Sequence, residues 1–348
     1  MSQPGAVLLA LVVINSGAFP FFINWYCHYR CALETSRHPD QTFSLPITLL
    51  VRAADKDAWQ RLQYPHWNNA LVRVRAERAA LQSAIPSYQS MKASNDQFYA
   101  LEREKFRALL ELLDRWLPAE PQIYILLSDT DVVFLHEPIA SMLEHGQADL
   151  YMQCDGCDVA RYGPRHVQCP YQYNTGIMLL ALDRRTEAGR LRYRALRQLV
   201  AHVVQVSNLT ERRRHQQPES MPLHDQTIFN QVLREWVRRG LVQLVAPYQN
   251  GSGAEEHIRL RVMYLSYQAF PNGCVLFGYK RRAPDPVAQE RLRRRTLAAV
   301  HANYRSGAEA KRNALQAAGV WIPQTYQLRS DSRECPPCLS AIHHRDAS

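Results

Sequence analysis

The chain has 348 residues, of which 46% are hydrophobic and 21% charged. That composition excludes a disordered or fibrous polypeptide and allows one large α/β domain or two ordinary ones. A formal charge of +10, from 42 Lys and Arg against 32 Asp and Glu, suits an anionic small substrate.

In chain order, Ala6–Ile14 is apolar and reads as a buried strand, Asn15-Ser-Gly17 as a turn and Phe19–Leu33 as a helix. Nine apolar residues are too few to span a bilayer, which takes about twenty, and a basic n-region is missing. No transmembrane or targeting segment is visible elsewhere in the chain. Pro46–Val51 reads as a strand, a helical stretch begins at Asp55, and Leu71–Val74 is a further short strand. Asp96–Trp116 carries Phe98, Leu101, Phe106, Leu109, Leu113 and Trp116 on one helical face. A strand ending at Asp129 follows, then the strand Val132–Leu135 and a helix begun by Pro138. Asp149–Cys154 and Thr175–Ala181 read as strands, Arg185–Gln205 and Asp225–Arg238 as helices. The last third has strands near Val242–Val245, Val262–Leu265 and Ala298–His301, and a helix near Ala308–Ala318. Ser207–Pro222 and Lys280–Pro286 read as surface insertions. Alternating strands and helices imply a mostly parallel sheet covered on both faces. Ligands bind beyond the carboxyl ends of such strands, so Asn15 and Asp129 are candidates to share one crevice.

Asp129-x-Asp131 interrupts the run Ile123–Phe134, which is otherwise apolar. Carboxylates are costly to bury unpaired. Two explanations stand at this point. One is a hard divalent cation such as Mg²⁺ or Mn²⁺, and the other is a turn in which the Asp side chains bond their own backbone. Phosphate-loop, dinucleotide, zincin and nucleophile-elbow motifs are all missing, so kinase, dehydrogenase, zinc protease and serine hydrolase lack support. Other polar groups sit beside apolar runs. Asn174 could be a turn residue, Asp225 a helix N-cap, His301 a strand-end histidine, and Lys105 and Lys311 solvated cations.

Arg212-Arg213-Arg214 and Arg291-Leu-Arg-Arg-Arg295 read as solvated faces and loops, because no nucleic-acid fold signature accompanies them. No nucleic-acid partner is expected. Among eight Cys, the pairs Cys154-x-x-Cys157 and Cys335-Pro-Pro-Cys338 have zinc-ligand spacing. They lie far apart, so disulfides or buried thiols are the favoured reading. Asn208-Leu-Thr210 and Asn250-Gly-Ser252 are glycosylation sequons, which fit a secretory lumen.

Five segments occur in an order that resembles a nucleotide-diphospho-sugar transferase domain. They are V-V-I-N-S-G-A-F-P-F-F-I-N-W-Y-C-H, S-D-T-D-V-V-F-L-H-E-P, N-T-G-I-M-L-L, H-D-Q-T-I-F-N and H-A-N-Y-R-S-G-A-E-A-K. The chain is similar to glycosyltransferase family 77, the plant and algal family of arabinosyl-, xylosyl- and galactosyltransferase-like enzymes. The resemblance covers about residues 6 to 321. It implies a GT-A-type, Rossmann-like α/β domain over residues 1–325, followed by a Cys-, Pro- and His-containing tail at 326–348. It also implies a nucleotide-sugar donor, a UDP-sugar by expectation, with Mn²⁺ or Mg²⁺ and a glycan or glycoprotein acceptor. Asp129, Asp131 and His301 match metal ligands. Asn15, Ser16, Lys105, Asp129, Asp155, Gly307 and Lys311 match positions around the donor. Asn174, Asp225 and Gln226 match the positions at the transferred sugar. The same resemblance implies retention of anomeric configuration and a Golgi or ER lumen.

Retention can proceed through a carboxylate nucleophile or through a same-face reaction in which the leaving phosphate takes the acceptor's proton. Both remain open on the sequence. A nucleotidyltransferase or sugar-nucleotide hydrolase would use the same two aspartates, and a basic RNA- or glycan-binding module would retain the fold without turnover.

Overall fold

The computed structural model describes residues 6–35, 47–63, 67–68, 71–79, 96–115, 120–157, 172–216, 224–245, 259–280, 282–322 and 335. Pro46, the side chain of Phe98, Trp116, Cys169, residues 217–222, the Asn250 sequon, Cys338 and the tail at 326–348 apart from Cys335 lie outside the described residues.

The first half alternates strongly: β1 (Ala6–Ile14), α1 (Phe19–Thr35), β2 (Ile47–Ala53), α2 (Lys56–Leu62), β3 (Val72–Arg78), α3 (Asp96–Arg115) and β4 (Gln122–Ser128). The middle holds β5 (Val132–Phe134), α4 (Pro138–Leu143), β6 (Leu150–Cys154), β7 (Tyr173–Asp183), α5 (Glu187–Gln216) and α6 (Asp225–Arg238). Then come β8 (Val242–Val245), β9 (Leu260–Leu265), α7 (Gly273–Phe277), α8 (Pro286–Arg293), β10 (Ala299–His301) and α9 (Ala308–Ala317).

Eight strands form one sheet in the order β3-β2-β1-β4-β7-β6-β9-β8, and β10 pairs antiparallel with β5 in a small second sheet. The main sheet is parallel except at β7, which runs antiparallel to β4 and to β6. Strand alternation builds two apolar layers. Leu9 and Leu11 of β1 face one layer with Phe106 and Leu109 of α3 and Leu199 of α5. Leu8, Ala10, Val12 and Ile14 face the other with Phe22 and Trp25 of α1. A strand buried on both faces must read as an uninterrupted apolar run, which Ala6–Ile14 does. The α/β class with helices on both faces is therefore as expected.

One expectation needs correction. Ser207–Pro222 is not a loop from its start: α5 continues helical through Gln216. Ser207, Asn208 and Thr210 have weak intrinsic helix preference. Thr210 instead bonds back to the Val206 carbonyl at 2.9 Å, while Arg103–Glu211 at 2.7 Å and Arg107–Asn208 at 2.6 Å fasten this extension to α3. The Asn208 sequon thus lies on a helix. The cysteines follow the favoured disulfide reading and not the zinc spacing. Cys27 is bonded to Cys335 and Cys157 to Cys274, and Cys31 and Cys154 are disulfide-bonded as well.

Phe106 stacks on Phe229 with ring centroids 5.6 Å apart, joining α3 to α6. Phe106→Ala is expected to cost about 3–5 kcal/mol, read as a lower urea midpoint. Glu137 caps α4 by accepting from the N–H groups of Ile139 and Ala140. Burial pushes its carboxyl up to about 7, against the opposing pull of those N–H groups. Its stabilising share is complete below the unfolded carboxyl range near 4.5 and is lost as pH rises through about 7. Glu137→Gln is therefore expected to remove on the order of 2–4 kcal/mol of decline between pH 4.5 and 8, measured by urea melts across pH.

Candidate active site

Strand direction assembles the site. The carboxyl ends of β1, β4 and β6 lie at one edge of the sheet, and they deliver Asn15, Asp129 and Asp155 there. Because β7 runs the other way, its first residues reach the same edge and bring Asn174, Thr175 and Gly176 beside Asp129. The Asp129 N–H donates to the Gly176 carbonyl at 2.9 Å. His301 closes β10, which pairs with β5 directly after Asp131. A cleft of about 1580 Å³ opens over this edge, lined by Ser16 on one side, α6 and α9 on others, and both aspartates at its floor.

Asp129, Asp131 and His301 offer ligand atoms that all lie within 4.8 Å of one another. Asp131 and His301 are buried, and Asp129 is partly open to the cleft. His301 Nε2 stands 3.5 Å from Asp131 Oδ1, and Lys311 Nζ stands 2.6 Å from Asp131 Oδ2. Burial alone would raise the Asp131 carboxyl. The Lys311 ammonium beside it outweighs that and holds it far below the usual carboxylate range. Gly176 makes room for the cluster: a Cβ there would overlap Cε1 of the His301 ring and lie 2.8 Å from Asp129 Oδ2. The chain does turn here, with the Val132 N–H on the Asp129 carbonyl at 3.4 Å, but the two Asp side chains pair with Lys105, Lys311 and His301.

Lys105 is buried rather than solvated. Its Nζ lies 2.9 Å from Asp129 Oδ1 and 2.8 Å from Asp225 Oδ2, with Thr175 Oγ1 at 3.5 Å. Burial would lower its ammonium, but the charges of Asp129 and Asp225 more than reverse that and keep it protonated. Asp225 is not the N-cap of α6, a place held by His224; it is the first helical residue. Its Oδ2 accepts from Thr175 at 3.2 Å, and its Oδ1 accepts the Gln226 N–H at 2.6 Å. Asp155 is buried behind Gln226 and accepts its amide at 2.8 Å and that of Gln172 at 3.1 Å. Asn174 is a strand residue, its Oδ1 taking the Gly176 N–H at 2.7 Å. Gly307, at φ +86°, begins α9 and puts Lys311 one turn inside the helix.

Asn15 is brought to the same edge, yet its side chain turns away. It is fully buried and caps the following turn by accepting the Ala18 N–H at 2.9 Å. Ser16 lines the cleft beside it. Glu102 and His224, 3.1 Å apart, flank the Asp225 end. Burial, then the charge of Asp225, pushes Glu102 up to about 7 against the pull of His224, whose imidazole is in turn raised by that hydrogen bond. Sequence reasoning did not single out Glu102, His224, Thr175 or Gly176 as site residues. Thr175 and His224 each stood next to a residue it did name.

The donor set fits a hard cation: two carboxylates and one imidazole converge. The profile of one family, described as nucleotide-diphospho-sugar transferase, matches residues 47–190 and 203–315. No curated protein matches the chain significantly. Among solved structures, the galactosyltransferase LgtC in complex with donor and acceptor sugar analogs is 13% identical over 92% of this chain and 99% of that one, with a TM-score of 0.41. Glycosyltransferase GlyE of Streptococcus pneumoniae TIGR4 is 13% identical over 90% and 60%, with a TM-score of 0.43. The apo bifunctional glycosyltransferase WbbM is 11% identical over 93% and 51%, with a TM-score of 0.47.

Lys105→Met would leave the buried carboxylate of Asp225 without its ammonium. The expected cost is about 3–5 kcal/mol, visible as a lowered thermal midpoint at neutral pH.

Proposed function

The chain belongs to the nucleotide-diphospho-sugar transferase family, and from that premise we propose a divalent-cation-dependent, retaining transfer of a sugar from a UDP-sugar to a polysaccharide or glycoprotein. The observation that carries the reading is the convergence of Asp129, Asp131 and His301 at the floor of a cleft that also holds Asp225 and Gln226. A pentose or galactose is the sugar we favour, in line with the resemblance to glycosyltransferase family 77.

Breaking the glycosidic bond leaves negative charge on a departing nucleoside diphosphate. A divalent cation held by Asp129, Asp131 and His301, Mn²⁺ or Mg²⁺ in this reading, supplies charge against that anion. Lys311 contributes a fixed point charge beside it. The open backbone at the start of α9 offers N–H groups to phosphate oxygens. At the sugar end, Asp225 already accepts three hydrogen bonds, from Lys105, Thr175 and the Gln226 N–H. A carboxylate so occupied is a weak nucleophile, and an amide is weaker still. This favours same-face transfer. The acceptor oxygen bonds to the anomeric carbon as the bond to the diphosphate breaks, and the acceptor's proton passes to a phosphate oxygen.

Disulfides persist in oxidising compartments. Those at Cys27–Cys335 and Cys157–Cys274 support a Golgi or ER lumen as the site of action. Among the described residues, no helix is long and apolar enough to cross a membrane.

A panel of UDP- and GDP-sugars incubated with Mn²⁺ and acceptor should release nucleoside diphosphate with one donor and give product of retained anomeric configuration. Release of monophosphate would instead assign a nucleotidyltransferase or hydrolase. RNA binding that weakens with salt and ignores Mn²⁺ would assign a binding module. Asp131→Ala should lower transfer by about a hundredfold or more, since the charge it helps to supply is worth several kcal/mol. Activity near that of the wild type would remove the cation from the site. His301→Ala should lower the rate and raise the Mn²⁺ concentration required. Intact-protein mass spectrometry should find no sugar attached to Asp225.

A further inference from the structure

Gln153 is a polar residue with no exposed surface, set in the otherwise apolar strand β6. Burying an amide calls for partners to both of its ends. One end is settled by chemistry: its Nε2 lies 3.1 Å from the carbonyl of Phe270, and a carbonyl can only accept. The Gln153 amide therefore cannot be turned round. Its Oε1 faces Nδ1 of His301 at 2.7 Å. That oxygen also can only accept, so Nδ1 must carry a proton. A neutral imidazole has one N–H, and the lone pair is then left on Nε2. Nε2 is the nitrogen that looks toward Asp131.

The surroundings hold this arrangement from three sides. The pairing of β6 with β7 shifts register between Met152 and Gln153, so that Gln153 stands opposite Asn174. The irregularity falls at the residue whose side chain reaches His301 of β10. The Phe270 carbonyl belongs to a turn tied down by the Phe270 N–H to the Ser266 carbonyl at 2.8 Å, and by the Ala298 N–H to the Ala269 carbonyl at 2.9 Å. The second of these bonds links the turn to the start of β10, the strand that carries His301. Across the ring, Cε1 lies where a Cβ on residue 176 would be, so the missing side chain of Gly176 lets the imidazole seat.

We propose that Gln153 is a positioning residue that fixes the tautomer of His301 and so presents Nε2 to the cation site shared with Asp129 and Asp131. The proposal rests on the cation reading given above, but its structural half can be measured without any cation. A ligating histidine takes its orientation and basicity from the partner of its other nitrogen.

The test uses the full chain labelled with ¹⁵N-histidine, cation-free, at mildly alkaline pH. Two-bond ¹⁵N–¹H correlation spectra, with His301 identified by its loss in His301→Gln, should show a protonated Nδ1 and a bare Nε2. Added Mg²⁺ should shift Nε2 and leave Nδ1 protonated. In Gln153→Leu the two tautomers should mix, and the Mn²⁺ dissociation constant from electron paramagnetic resonance should rise by about 10–100-fold. A wild-type His301 protonated at Nε2 alone would overturn the proposal, and so would a Gln153→Leu protein that binds Mn²⁺ as the wild type does. Should Gln153→Leu fail to fold, the wild-type spectrum decides. A wild-type protein with protonated Nδ1 that binds no Mn²⁺ would sink the cation reading while keeping the Gln153–His301 bond.

Discussion

The Lys105 ammonium lies 2.9 Å from Asp129 and 2.8 Å from Asp225, shut away from water. Taking such a cation out of solvent costs several kcal/mol, and only well-placed carboxylates offset it. The placement therefore runs in both directions. Asp129, at the end of β4, and Asp225, at the start of α6, come from chain segments about a hundred residues apart, yet each is held by the same nitrogen. Thr175 supports the pair from β7. Charge at the cation end and charge at the sugar end of the cleft are in this way connected, and a move of either carboxylate would leave the ammonium short of a partner. The stacked rings of Phe106 and Phe229 reinforce the connection one residue along α3 and four along α6.

The direction of β7 makes that junction possible. Had it continued the parallel pattern, its amino end would lie at the far side of the sheet, and Asn174, Thr175 and Gly176 would be remote from Asp129. One reversed strand, set between β4 and β6, turns an edge built from carboxyl ends into one that also receives a strand's first residues. Gly176 then serves two demands at once. Its carbonyl takes the Asp129 N–H, and its bare Cα leaves space for the His301 ring.

Much of this was legible in the sequence because its physical causes are local. Ala6–Ile14 and Ile123–Leu127 are buried on both faces, so they read as apolar runs. Asp129 and Asp131 stand out because they break such a run. The alternating pattern gave the sheet class but could not reveal that β7 is reversed, since a strand reads the same in either direction. Asn174 could be read as a turn residue because nothing local shows that the strand already begins at Tyr173. Lys105 could not be told from a solvated helical lysine by its neighbours, because its partners come from β4 and α6. Gln153 carried a faint local sign, an amide inside Leu-Tyr-Met-Gln-Cys, but its purpose depends on Phe270 and His301, more than a hundred residues away. The helical Ser207–Gln216 was hidden because contacts with α3 outweigh weak intrinsic preference.

The bond between Cys27 and Cys335 joins residues 308 positions apart. Nearly the whole polypeptide is therefore enclosed in one covalent ring, with α1 and the carboxyl-terminal segment as its clasp. A single hydrolysed peptide bond in any connecting segment of that ring would leave one molecule of undiminished mass, apart from an added water, until a reductant parted it. Wear on the surface would accordingly be tolerated in oxidising surroundings and would become fragmentation in reducing ones, without any change in the folded contacts themselves.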